Sequence, residues 1–298
     1  MIKLENVSKI FGEFKALDGA DLEIPQGTAF GLLGSNGAGK STILRLISGI
    51  YAPDTGTVSI DGQDIYDNVA AKQKIFFIND ETVQFGNYTL KQLKEFYKGF
   101  YPNFSDDIFN SLNEIIKLPE KKRIDSFSKG MKRQAIVISG LACCTDYLLL
   151  DEAFDGLDPT MRIIVKRMLV DAMLDRKMTV VISSHNLKEI NEMCDTVALL
   201  HKGKILFSRE LDSVKGDIHK IQAVFPEGVS EEDLKFPELL HYERSMSVHY
   251  LIMRGSEDGI REKLAAFSPS VCDIIPLTLE EIFIYEMEGM GYDASGIK

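Results

Sequence analysis

The chain has 298 residues and a net charge of -11, from 34 Lys and Arg against 45 Asp and Glu. Its 45% hydrophobic and 27% charged residues are ordinary globular values, which exclude a disordered chain and a broadly basic surface for nucleic acid or anionic lipid. The four cysteines, Cys143, Cys144, Cys194 and Cys272, form no C-x-x-C pair, so a disulfide framework or zinc site is not expected and a reducing compartment fits. Residues 2–7 and 20–24 alternate apolar and polar side chains, as half-buried strands do. Pro25 and Gly27 mark a turn, and AFGLLG at 29–34 reads as a buried strand entering a glycine-rich loop. A helix pattern follows at 41–50, with Leu44, Leu46 and Ile47 on its buried side, then short strands at 57–62 and 74–80. The pattern is helical from about 88 to 144. Beyond it, 147–152 is a strand, 159–174 a helix, 178–185 a strand, 186–194 a helix, and 196–208 a pair of strands about Lys202-Gly203. Strands alternating with helices predict an α/β fold with helices on the faces of a sheet.

The character changes near residue 212. Residues 215–298 hold 8 basic and 16 acidic residues, so most of the excess negative charge lies there. HKIQAVF, HYERSMSVHYLIM and SVCDIIPL read as strands, EDGIREKLAAF and TLEEIFIYEME as helices, and GMGYDASGIK as a frayed end. A small α+β module is expected. The N-terminus has no apolar signal region, and the longest apolar stretches, such as 135–144, fall well short of the roughly 20 residues needed to span a bilayer.

Gly34, Ser35, Asn36, Gly37, Ala38, Gly39, Lys40, Ser41 and Thr42 fit the pattern G-x-x-x-x-G-K-[ST]. Glycines let the backbone wrap so that its N–H groups point inward at phosphate oxygens, and the helix that starts there turns its positive end to the same point. Lys40 supplies a point charge to the β- and γ-phosphates, and the Ser41 hydroxyl is a ligand for Mg²⁺. The loop by itself specifies a nucleoside triphosphate and no more. LLLDE at 148–152 ends a buried strand in two carboxylates. That strand is expected to run parallel to the phosphate-loop strand, which puts Asp151 near the Mg²⁺ and places Glu152 to polarise an attacking water. SSH at 183–185 likewise delivers His185 at a strand end, where it can contact a γ-phosphate and steady the water.

FSKGMKRQ at 127–134, about 20 residues before LLLDE, resembles the signature motif of the ATP-binding cassette (ABC) ATPases, whose common form is LSGGQ. GLDP at 156–159 looks like the family's D-loop, SSH like its histidine switch, and HKGKIL at 201–206 like the strand pair that follows. The resemblance covers roughly residues 1–212, in family order, and is closest to the ABC-2-type branch. It implies a RecA-like core with an antiparallel β subdomain and a helical subdomain at about 88–144. Residues 213–298 form a small acidic accessory or regulatory module.

The resemblance also implies roles. Two ATPase domains pair head to tail, as a homodimer or a heterodimer, so that Ser128, Lys129, Gly130 and Met131 clamp ATP bound at the partner's phosphate loop, with Asp158 of the D-loop nearby. Lys129 stands where glycine is commonest, and Met131 where glutamine is. Phe11 matches the aromatic residue that stacks on adenine. Asp80 stands where the family's glutamine-loop residue touches Mg²⁺, one methylene shorter than the usual glutamine. The expected cofactors are ATP and Mg²⁺, and the expected partner is a separate transmembrane permease subunit, without nucleic acid. The chain would then sit on the cytoplasmic face of the cell membrane as the ATP-hydrolysing subunit of an exporter. The alternative is a non-transport ABC ATPase acting on ribosomes or DNA. Those forms usually carry two cassettes or long insertions, and this chain matches neither.

Overall fold

A computed structural model describes residues 1–79 and 85–289. It divides into two compact units, Met1–Ser208 and Arg209–Lys298, where the sequence change placed the start of the second at residue 213.

The first unit contains two sheets. Strands β1 (Ile2–Phe11), β2 (Phe14–Ile24), β4 (Thr55–Ile60) and the short β5 (Gln63–Asp64) form one, in the order β2-β1-β4-β5, with antiparallel pairing throughout. The second contains β3 (Ala29–Leu33), β6 (Ile75–Ile78), β7 (Tyr147–Asp151), β8 (Thr179–Ser183), β9 (Thr196–His201) and β10 (Lys204–Glu210), in the order β10-β9-β3-β8-β7-β6. Its five strands from β9 to β6 are parallel. Every residue of β3, β7 and β8 is buried. That explains their unbroken apolar runs: a central parallel strand is covered on both faces and has no solvent side to alternate with.

Helix α1 (Lys40–Ile47) buries Ile43, Leu44, Leu46 and Ile47. They join Ile2 and Leu4 of β1, Val58 and Ile60 of β4, and Phe30 and Leu149 of the parallel sheet in one core. At about 1.5–3 kcal/mol for each fully buried large apolar side chain, this core fixes the helix that carries the phosphate loop. The short α2 (Val69–Lys72) is capped by Asn68, whose side chain accepts from Ala71 N. The helical region resolves into α3 (Leu90–Phe100), α4 (Asp106–Ile116) and α5 (Lys129–Ala142). A complete capping box of Thr89 and Gln92 starts α3. Helix α5 buries ten consecutive residues, 133 to 142, as a helix packed on more than one side must. Helices α6 (Pro159–Arg176) and α7 (Leu187–Met193) complete the unit.

The second unit follows α8 (Leu211–Gly216) with an antiparallel sheet of β11 (Ile218–Val224), β12 (Leu239–Ser245), β13 (Val248–Arg254) and β14 (Val271–Ile275), in the order β12-β13-β11-β14. Ile260 and Leu264 of α9 (Glu257–Ala265) pack with Ile221, Leu251 and Met253 of the sheet. In α10 (Leu279–Gly289), the fully buried Glu286 accepts a 2.7 Å hydrogen bond from Arg254. The segment 241–253, read from sequence as one strand, is a hairpin. Met246 takes a left-handed backbone (φ 55°) and is 92% exposed, a tight turn that apolar patterning cannot signal because its tip residue is a methionine. Elements β5, α2 and α8 are too short to leave a period and were not expected.

Candidate nucleotide site

The site lies at the carboxyl end of the parallel sheet. Gly34, at the end of β3, has φ 148°, and a Cβ there would lie 2.3 Å from the Leu200 carbonyl oxygen. The chain can pass this point only as glycine. Gly39 caps α1 in the left-handed region. Lys40 is only 6% exposed, and its Nζ donates to the carbonyls of Gly34 (2.6 Å) and Ser35 (3.2 Å). Burial pulls its pKa below that of an ordinary lysine, while Glu152 and Asp151 act to raise it. Loop carbonyls thus hold the ammonium over the loop, facing both acids.

Strand β8 lies between β3 and β7. Leu32 is in register with Ser183, and Ser183 with Asp151. The two motif strands are therefore parallel, as expected, and the histidine segment is inserted between them. Asp151 is fully buried. Glu152 adopts φ 48° and its N donates to Ser183 O at 3.0 Å, which turns its side chain off the strand line. Its carboxylate meets the histidine segment twice: Oε1 accepts from His185 N at 3.1 Å, and Oε2 lies 2.9 Å from His185 Nδ1. Burial raises the Glu152 pKa above the usual carboxylate range, outweighing the downward pull of His185 and Lys40. The hydrogen bond to Glu152 in turn raises the His185 imidazole.

One cavity of about 260 Å³ is lined by Asn36, Gly37, Gly39, Lys40, Ser41 and Thr42 of the loop, by Glu152, and by Phe14 and Ala16 of β2. It brings the phosphate loop and the acidic strand end to one place. Gly34, Ser35 and the buried Ala38 belong to the same loop without lining the cavity. Phe11 is also outside the lining. Its ring stands edge-on to Tyr51 at 5.3 Å, with Lys9 Nζ 5.5 Å from its centroid.

The FSKGM segment lies apart from this cavity. Ser128 caps α5 and accepts from Met131 N at 3.2 Å, and Ser128 and Lys129 are exposed. The segment packs on the GLDP loop of its own chain: a Cβ at Gly130 would lie 2.8 Å from the Gly156 carbonyl oxygen, and one at Gly156 would lie 3.1 Å from Lys129 Cδ. Asp158 caps α6, accepting from Met161 N at 3.0 Å. Asp80 lies outside the described residues.

Sequence reasoning missed two parts of the site. Phe14 and Ala16 reach it by the path of the β1–β2 hairpin, which no motif marks. The second part is a buried strap behind His185. Glu189 of α7 accepts from Ser184 Oγ at 2.8 Å and pairs with Arg162 of α6 at 3.2 Å. Arg162 and Glu189 are far apart in sequence, and only the packing of α6 beside α7 makes them partners.

The ABC transporter family model matches residues 17–155. The chain is 31% identical over 289 residues to the ABC transporter ATP-binding protein YtrB of Bacillus subtilis (strain 168), covering 97% of this chain and 99% of that one. It is 30% identical over 218 residues to the bacitracin transport ATP-binding protein BcrA of Bacillus licheniformis, covering 72% and 71%. Among solved structures, the fold resembles an ATP-binding subunit of an ABC transporter, with a TM-score of 0.67 at 22% identity over 72% of this chain and 92% of that one. It also resembles a dimeric ATP-binding cassette bound to ADP and Pi, with a TM-score of 0.63 at 22% identity over 71% and 99%.

Proposed function

The chain belongs to the ATP-binding proteins of ABC transporters, and from that premise we infer that its cavity binds and hydrolyses ATP to drive a separate membrane permease. The observation that carries this reading is the convergence of Lys40, Ser41 and Glu152 on one cavity, with Glu152 held by His185. In the proposed reaction the loop N–H groups and Lys40 hold the β- and γ-phosphates, exchanging the carbonyl contacts of Lys40 for phosphate oxygens. Water attacks the γ-phosphorus in line. The new P–O bond forms as the bond to the bridging oxygen of ADP breaks, and Glu152 takes the proton of the water. His185 orients Glu152 and faces the transferred phosphoryl group.

The donor set suits magnesium. Ser41 and Asp151 offer hard oxygens, and the fully buried Ser183 hydroxyl beside Asp151 has no hydrogen-bond partner among the described residues, a need that a hydrated cation would meet. Ser41 and Asp151 would hold the ion, which when bound supplies positive charge to the phosphate oxygens. Asp80 is proposed to add a ligand through water.

Ser128, Lys129, Gly130 and Met131, with Asp158 behind them, are assigned to a nucleotide bound by a second cassette, identical or different, in a head-to-tail pair. The exposure of Ser128, Lys129 and Asp158 and the separation of the segment from the chain's own cavity support this. An apolar groove of about 310 Å³ between Val69 and Lys72 on one side and Phe96, Tyr97, Phe100 and Tyr101 on the other supports docking of the permease. Among the described residues no helix is long and apolar enough to cross a membrane, and the proposed location is the cytoplasmic face through that partner. Relatives named for bacitracin transport and linearmycin resistance support export as the direction.

Glu152→Gln tests the reading. It should leave ATP binding intact, slow phosphate release by about 100-fold or more, and accumulate an ATP-loaded dimer in size-exclusion chromatography. Turnover close to that of the unmodified chain would remove Glu152 as the base.

A further inference from the structure

Helix α6 has two apolar faces. Val165, Met168 and Leu169 are buried in the unit. On another side Ile163, Val170 and Leu174 are 69%, 41% and 77% exposed, with Arg167 exposed between them. A helix that is apolar on both sides belongs to an interior, and such a stripe left to water marks a contact surface. Positions 163, 167, 170 and 174 step by four, three and four residues, the seam spacing of two helices packed side by side. Arg162 and Lys166, on the flank toward α7, are held by Glu189 and Glu192. Arg167 and the exposed Asp171 have no ion-pair partner among the described residues.

We propose that this stripe docks a second copy of the chain, α6 against α6, antiparallel about a two-fold axis. The occupant follows from self-complementarity. With the axis between residues 168 and 169, Ile163 meets the partner's Leu174, and Arg167 meets the partner's Val170 beside the partner's Asp171. The two-fold repeats each contact, so both guanidinium groups find a carboxylate and every exposed aliphatic side chain of the stripe is covered. A parallel pair would instead set Arg167 against the partner's Arg167, a like-charge contact that excludes this arrangement. The patch is small, so the association is weak, below the size of a standard interface. It uses no residue of the nucleotide cavity and therefore joins copies without ATP, as a contact separate from the head-to-tail pair.

Sedimentation equilibrium of the full, nucleotide-free chain should show a reversible monomer–dimer equilibrium with a Kd of about 10–100 µM. Arg167→Asp should weaken it by about tenfold or more, because two carboxylates then face each other twice, and Asp171→Arg should do the same. The double variant, Arg167→Asp with Asp171→Arg, re-forms both pairs with the charges exchanged and should recover the dimer, which a merely structural defect would not do. When Ile163→Cys and Leu174→Cys chains are mixed and oxidised, mass spectrometry should find a disulfide joining the two introduced positions. Neither variant should link to itself there, since like positions lie roughly 16 Å apart along the axes, beyond disulfide reach. A chain that stays monomeric to about 500 µM, a dimer indifferent to Arg167→Asp, or a double variant that fails to recover would each overturn the proposal. Adding Arg167→Asp to Glu152→Gln should leave the ATP-loaded dimer of the latter intact. Loss of that dimer would place the stripe in the head-to-tail pair and overturn the separate contact.

Discussion

At the scale of single residues, the Glu152–His185 pair sets the chemistry. Two opposing influences act on Glu152: burial raises its pKa, and His185 and Lys40 lower it, with burial the stronger. A general base works only when ionised, so turnover should fall as pH drops through a value above that of an ordinary glutamate. His185→Ala removes one of the groups that keep Glu152 ionised, and therefore moves this acidic limb to higher pH as well as lowering the maximal rate. The measurement is the pH profile of phosphate release under saturating ATP. A limb that stays in place would show that His185 does not act on the carboxylate. The same pair bears on stability with the opposite sign. Because Glu152 raises the imidazole pKa, the contribution of His185 is full below the ordinary histidine value and is lost as pH rises through the raised one.

Among elements, the strap of Arg162, Glu189 and Ser184 decides how firmly the histidine segment is held. Glu189 is 5% exposed and bridges α6 to the residue just before His185. Asp158 of the GLDP loop caps helix α6. The loop that meets Gly130 and the segment that meets Glu152 are thus tied to one another through α6 and α7. Replacing Glu189 by glutamine keeps the shape and removes the charge facing Arg162. Because Arg162 is partly exposed, the cost should sit at the low end for a broken buried pair, about 3 kcal/mol. It should appear as a lower urea midpoint together with a reduced kcat. A lower midpoint with unchanged kcat would make the strap structural only. Glu189 was not legible in the sequence because a buried ion pair between two helices has no period and no fixed spacing.

Across the whole molecule, the two units have separate cores and should unfold as two calorimetric transitions. ATP at 100 times its Kd adds about 2.7 kcal/mol to the unit that binds it, so the transition of Met1–Ser208 should rise while that of Arg209–Lys298 stays. Arg254→Ala should do the converse. Among the described residues, it leaves Arg209, 3.7 Å away, as the cation beside the buried Glu286, at a cost of about 2–3 kcal/mol, and lowers the second transition alone. A single transition that shifts with both perturbations would show that the units fold as one.

Much of this protein could be read along the chain. The phosphate loop, the two carboxylates ending β7 and the FSKGM segment are contiguous, and their chemistry depends on neighbours one to eight residues away. Fully apolar runs marked the covered central strands, and a change of charge near residue 212 suggested an acidic second module. What tertiary structure alone decided is which distant segments meet. The insertion of β8 between β3 and β7 brings His185 onto Glu152. The path of the β1–β2 hairpin brings Phe14, and not Phe11, to the cavity lined by the phosphate loop. The packing of α6 beside α7 pairs Arg162 with Glu189. Periodicity and spacing describe one element at a time, whereas strand order and helix packing are fixed by the burial of apolar faces from the whole unit, and no local pattern carries that sum.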